Sequence, residues 1–158
     1  MTPGVFCSGT LQAKGAMVVI MHYRKPTVFI SYDIENDSDL KDALIEESEK
    51  PESLFEVHGV SSGGDYTNEK WIIDTRNKID AVDKHVVILG VSTHSDPRVA
   101  REVDLGMECH KFLLQFRIYG TNPNPMPMQK WNYVYMWEEK AFIQAFRPIE
   151  LLDHRKTF

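Results

Sequence analysis

His85–Val86–Val87–Ile88–Leu89–Gly90–Val91 is, after its leading histidine, an unbroken apolar run. Without polar alternation it reads as a strand buried on both faces, as parallel sheets require. Ser92–Thr93–His94–Ser95 follows as a loop, and Asp96 and Pro97 suit the N-cap and N1 positions of a helix. That helix is predicted to reach about Lys111, with Val99, Val103, Met107 and His110 as its core stripe. Gly106 falls in the same stripe, where a missing side chain allows close approach.

The same strand-then-helix rhythm extends in both directions. Upstream, Thr27–Val28–Phe29–Ile30–Ser31–Tyr32 is a first strand, β-branched and aromatic. After a polar turn over Asp33–Asp37, Ser38 can cap a helix with Leu40, Ala43 and Leu44 on its stripe, ended by Pro51. Leu54 to Val60 is a second strand, Ser61–Ser62–Gly63–Gly64–Asp65 a loop, and Asn68 to Asp83 a helix carrying Trp71, Ile72, Thr75, Ile79 and Val82. Downstream, Phe112 to Tyr119 is a fourth strand and Gly120 to Lys130 a Pro/Asn-rich connector. Trp131 to Trp137 alternates as a fifth strand, and Glu138 to Arg147 closes as a helix.

Alternation of this kind predicts an α/β, flavodoxin-like three-layer sandwich. A five-stranded parallel sheet of order 2-1-3-4-5 would carry helices on both faces. The domain spans 26–147, with an N-terminal extension or extra edge strand over 1–25 and a tail over 148–158. Ligands of such sheets bind outside the carboxyl ends of the strands, where the order reverses. That selects the loops Ser31–Asp37, Ser61–Tyr66 and Ser92–Pro97.

Composition narrows the function. The chain has 158 residues, 42% hydrophobic and 26% charged, which fits one globular domain. Lys+Arg is 18 against Asp+Glu 23, a net charge of -5, which argues against nucleic acid as a partner. No apolar run approaches the roughly 20 residues of a membrane span. Met17–Val18–Val19–Ile20–Met21 is too short for a signal h-region, and His22–Tyr23–Arg24–Lys25 follows where small residues should sit. The expectation is a cytoplasmic protein with reduced cysteines. Cys7 and Cys109 are too few for a disulfide scaffold, and Cys109–His110 lacks a partner pair at ligand spacing, so no metal is expected.

No selected loop carries a G-x-G-x-x-G or P-loop fingerprint. Glu102 draws attention instead. It lies about 60° from Val99 on the helical wheel, at the edge of the stripe and near the helix start. A carboxylate half shielded there would have a raised pKa, suited to acid/base or cation-stabilising work. The alternative is a solvated glutamate favoured by the helix dipole. Asp33, Glu35 and Asp65 read as turn or cap residues as readily as catalysts. His94 is either a phosphate contact or a plain loop histidine.

Taken together, several elements resemble Toll/interleukin-1 receptor (TIR)-like domains. Thr27–Val28–Phe29–Ile30–Ser31–Tyr32 with its acidic sequel is similar to their first strand. Val87–Ile88–Leu89–Gly90–Val91–Ser92–Thr93 and then Val99–Ala100–Arg101–Glu102–Val103 resemble the third strand and the helix bearing the family's glutamate. Trp137–Glu138–Glu139–Lys140–Ala141–Phe142 resembles the closing strand-to-helix step of bacterial, Thoeris-type antiphage members. The resemblance covers about residues 26–147.

The resemblance implies cleavage of the nicotinamide–ribose bond of NAD, with NAD as substrate and no cofactor. Some members cyclise the product into an ADP-ribose signal that activates an effector protein, and homo-oligomers are expected. It maps the catalytic residue to Glu102 and ligand-lining positions to Ser31, Tyr32 and Asp33. The mobile loop maps to Ser61, Gly63, Gly64 and Asp65, while Ser92, His94 and Arg98 complete the substrate-binding set. Arg98 stands where many relatives carry tryptophan. Two other readings share the pattern: a non-catalytic TIR-type interaction module, and a nucleoside deoxyribosyltransferase-like enzyme, for which Arg101–Glu102–Val103–Asp104–Leu105–Gly106 is suggestive.

Overall fold

The computed structural model describes residues 23–117, 125–146 and 149–150. The chain divides into a compact unit over 25–148 and a smaller unit combining 1–24 with 149–158. In the smaller unit, β1 (Tyr23–Arg24) pairs antiparallel with β7 (Ile149–Glu150). The expected N-terminal extension and C-terminal tail otherwise lie outside the described residues, as does the end of the predicted fourth strand.

The larger unit alternates as the apolar runs dictate. Its elements are β2 (Thr27–Ser31), α1 (Ser38–Ser48), β3 (Glu56–Val60), α2 (Glu69–Asp80), β4 (Lys84–Leu89), α3 (Pro97–Glu108), β5 (Leu113–Arg117), β6 (Val134–Met136) and α4 (Glu139–Ala145). The sheet is five-stranded and wholly parallel, in the order β3-β2-β4-β5-β6. That is the predicted 2-1-3-4-5, with its reversal between β2 and β4.

Strand periodicity sorts the core into two layers. Val28, Ile30, Tyr32, Val86, Ile88, Leu114 and Phe116 point to one face and pack with Leu44 of α1 and Phe142 of α4. Phe116 and Phe146 stack with ring centroids 5.6 Å apart. On the other face, Phe29 packs with Trp71 and Ile79 of α2 and Leu105 of α3, while Val87 and Leu89 pack with Val99 and Val103 of α3.

Caps fix the helix starts. Asn68 accepts from the Lys70 and Trp71 backbone N–H groups, and Asp96 accepts from those of Arg98 and Val99. Ser38 is not the cap of α1. Asp37 holds that position, and the Ser38 hydroxyl donates to the Ile34 carbonyl. α3 also departs from its predicted stripe. Met107 is 51% exposed and His110 lies beyond the helix with φ +60°. The buried face is Val99, Glu102, Val103, Leu105 and Gly106.

Candidate functional site

The site forms where β2, β3 and β4 end beside the start of α3. Glu102 is fully buried rather than at the edge of the stripe. The Ser61 hydroxyl, just past β3, donates to Glu102 Oε1 at 2.6 Å. The Tyr32 backbone N–H donates to that same Ser61 oxygen at 3.1 Å, so the first and second loops meet at the carboxyl. Glu102 Oε2 has no hydrogen-bond partner, and neither does the buried Arg98 Nε one turn earlier on α3.

Burial raises the Glu102 pKa from 4.5 to about 7, because low-dielectric surroundings disfavour the charged form. The Ser31 and Ser61 hydroxyls and the Arg98 guanidinium pull it back, while Asp96 pushes it further up. Ser31 has its close partner elsewhere, with Oγ 2.8 Å from Nε2 of His85, so beside the carboxyl it acts as a polar neighbour. His85 is buried on β4, and burial lowers its pKa to about 3, which keeps the ring neutral. A Cβ at Gly106 would overlap His85 Nδ1, so the glycine makes room for this ring. His85, Ser31, Ser61 and Glu102 thus form one buried polar layer between the sheet and α3.

Past the ends of β2 and β4 a cavity of about 330 Å³ opens, lined by Asp33, Glu35, Tyr66, Ser92, Asp96 and Arg98 among others; Ser31, Ser61, His85 and Glu102 are not in its lining. Asp33 is held as a turn residue. Oδ1 accepts from the Glu35 backbone N–H, and Oδ2 from the Asn36 side-chain amide and the Ser92 hydroxyl. Below the rim, Thr93 Oγ1 accepts from the Gly90 N–H at 2.7 Å and donates to Asp37 Oδ2 at 3.2 Å. Burial raises the Asp37 pKa, which Thr93 counters. A Cβ at Gly90 would overlap the Asp37 carboxyl, which explains the glycine closing β4. A larger cavity, about 570 Å³, lies at Lys50, Phe55, Trp137 and Phe142 and holds none of the predicted site residues.

The structure therefore brings Ser31, Ser61 and Glu102 together, and places Asp33, Ser92 and Arg98 on a cavity that those three do not line, with the Arg98 charge as the link to Glu102. Tyr32 contributes its backbone, since its ring packs in the core on the α1 face with Lys41 Nζ 5.6 Å from its centroid. Gly63, Gly64, Asp65 and His94 are exposed. Asp65 accepts from Thr67, which lowers its pKa. Sequence reading missed His85 as a site residue. The signal available was Gly106, a glycine on a core stripe that needs an unusual neighbour. Among the described residues, no three of His, Cys, Asp and Glu are grouped to hold a metal, and no helix is long and apolar enough to cross a membrane.

The fold and site define a doubly wound α/β domain with a buried carboxyl at the topological switch point. The TIR domain of the Toll-related receptor TRR-2 from Hydra magnipapillata is similar at 16% identity and a TM-score of 0.49, covering 75% of this chain and 90% of that one. No family model and no curated protein matches the sequence.

Proposed function

We propose that this chain is a TIR-like NAD glycohydrolase that cleaves the nicotinamide–ribose bond. The observation that carries the reading is the Glu102 carboxyl. It is buried, poised to titrate near neutrality and tied to the strand ends that border the cavity. Breaking the bond leaves an oxocarbenium-like ribose while nicotinamide departs neutral. Such a transition state gains from a nearby carboxylate more than from a strong nucleophile. In this proposal a homo-oligomer in the cytoplasm releases ADP-ribose or a cyclised form of it. That nucleotide signals to an effector protein in antiphage defence.

One observation favours a second reading. Glu102 has no exposed surface, as suits a non-catalytic interaction module that keeps the fold and buries the carboxyl. Purified protein with NAD, over a concentration series that allows subunits to complete one another, separates the two. Chromatography should resolve nicotinamide and a nucleotide product from wild type and none from Glu102→Gln. Equal turnover by both proteins, or none by either at every concentration, refutes the glycohydrolase.

A further inference from the structure

The cavity of about 570 Å³ is a groove with an apolar floor and an acidic rim. Leu54, Phe55, Trp137, Phe142 and Ile143 line the floor, and Ile143 is 54% exposed. Around them stand four carboxylates, those of Glu47, Glu52, Glu138 and Glu139, and one ammonium, that of Lys50. Glu47 already holds Lys50 at 2.9 Å and, with Glu52 and Glu139 behind it, raises its pKa. The groove therefore offers apolar area inside a negative field. The opposite pattern occurs elsewhere on the same unit. Trp131 is 74% exposed and Phe112 is 59% exposed, and Lys130 and Lys111 precede them in the chain. Their two loops meet at the start of β5. There the Asn132 side-chain amide donates to the Leu113 carbonyl at 2.7 Å, and the Gln129 N–H donates to Gln115 Oε1 at 2.9 Å. Neither lysine forms an ion pair among the described residues. Large aromatics left in water at one spot mark a surface that another molecule covers.

We propose that the Lys111–Phe112 and Lys130–Trp131 surface of one copy seats in the α1–α4 groove of a second copy. Charge and shape choose this occupant. The aromatic side chains fill the apolar floor, while the ammonium groups meet the glutamates of the rim. The chain's net charge of -5 sets whole copies against one another, so their association needs a local patch of the opposite sign. The two lysines supply it. The two surfaces share no residue, so the contact is heterologous. Each copy in a pair keeps one groove and one aromatic surface free, and association continues head to tail instead of stopping at a two-fold dimer. Ser31, Ser61 and Glu102 belong to neither surface, so the assembly stands apart from the proposed glycosidic reaction.

The test is sedimentation velocity on the full chain over a concentration series, at about 0.05 M and about 0.5 M salt. Wild type should grow past a dimer as concentration rises, and the higher salt should weaken association several-fold. Trp131→Ala removes the aromatic anchor, and Ile143→Lys puts a charge on the groove floor. Each should weaken association at least about tenfold with an unchanged thermal melt, since both side chains are exposed. Lys130→Glu and Glu138→Lys, also on the surface, repeat the comparison by charge alone. Mixing Trp131→Ala with Ile143→Lys decides the arrangement. The intact groove of the first and the intact aromatic surface of the second should give a heterodimer and nothing larger. A wild type that stays monomeric throughout overturns the assembly and leaves the groove to another basic partner. A dimer that grows no further overturns it too, as do association indifferent to salt and variants that remain monomeric when mixed. NAD turnover by the same samples reads the glycohydrolase separately, because no substitution here touches Glu102.

Discussion

Replacing Glu102 by glutamine should stabilise the fold, and more so at alkaline pH. Burial moves this carboxyl from 4.5 to about 7, so the folded protein holds the proton more tightly than the unfolded chain does. Between those values the unfolded chain ionises first, and raising the pH drains stability from the fold. At about 1.4 kcal/mol per tenfold change in proton affinity, the complete cost above neutrality is about 3 kcal/mol. At about pH 5 only about 1 kcal/mol of it has been incurred. Glu102→Gln removes the ionisation and keeps the shape and an acceptor for Ser61. Its benefit should therefore be about 2 kcal/mol larger at pH 8 than at pH 5. Urea denaturation of both proteins at the two pH values, followed by tryptophan fluorescence, measures the double difference. Any fixed effect of the amide cancels, and so does the titration of His85, which both proteins share. A difference near zero, or one of the opposite sign, would refute the argument that burial controls this carboxyl.

His85 should act on the acid side. Its folded pKa of about 3 lies below the ordinary 6.5, so stability falls as pH drops through that window. This group should cost wild type about 2 kcal/mol between pH 6.5 and pH 5, against a gain of similar size from Glu102. His85→Gln should therefore change by about 2 kcal/mol more in favour of folding over that window than wild type does; an equal change in both proteins counts against it. Gly106→Ala should cost about 1–3 kcal/mol, because its methyl overlaps the buried His85 ring and packed cores resist added volume. A thermal melt equal to wild type would show that the ring has room to move.

The middle of the sheet was legible because β2 and β4 carry continuous apolar runs. Val86–Val87–Ile88–Leu89 and Val28–Phe29–Ile30 are buried on both faces, and alternation with helices left one common topology. The face of α3 was less legible. Met107 lies within the helix but about 80° from Val99, on the side away from Glu102 and Leu105, so it faces out. His110 counts as a stripe residue only on a wheel that continues past the helix end. The chain instead caps at Cys109 and turns through positive φ at His110. A glutamate also reads as an outward residue by default, since burying a charge is costly. What reverses the default is a set of distant partners that local periodicity does not register. Ser61 is 41 positions from Glu102 and Ser31 is 54 from His85.

That buried layer also links charge to access. A carboxyl that is ionised more easily outside than inside is exposed more easily when ionised, and by the same free energy. Glu102 in its protonated form suits the closed arrangement, with Oε1 on Ser61 and Oε2 buried without a partner. In its ionised form it favours any arrangement that brings Oε2 to water, to Arg98 or to a cation in the adjoining cavity. In the proposed reaction the cationic nicotinamide glycoside would supply such a counter-charge on reaching the carboxylate. Ionisation would then follow the substrate rather than precede it. A carboxyl held near neutrality meets this condition because either form is within about 1–2 kcal/mol of the other at physiological pH. A glutamate left at its solvent pKa would be ionised whether or not a ligand were present, and the coupling would be lost.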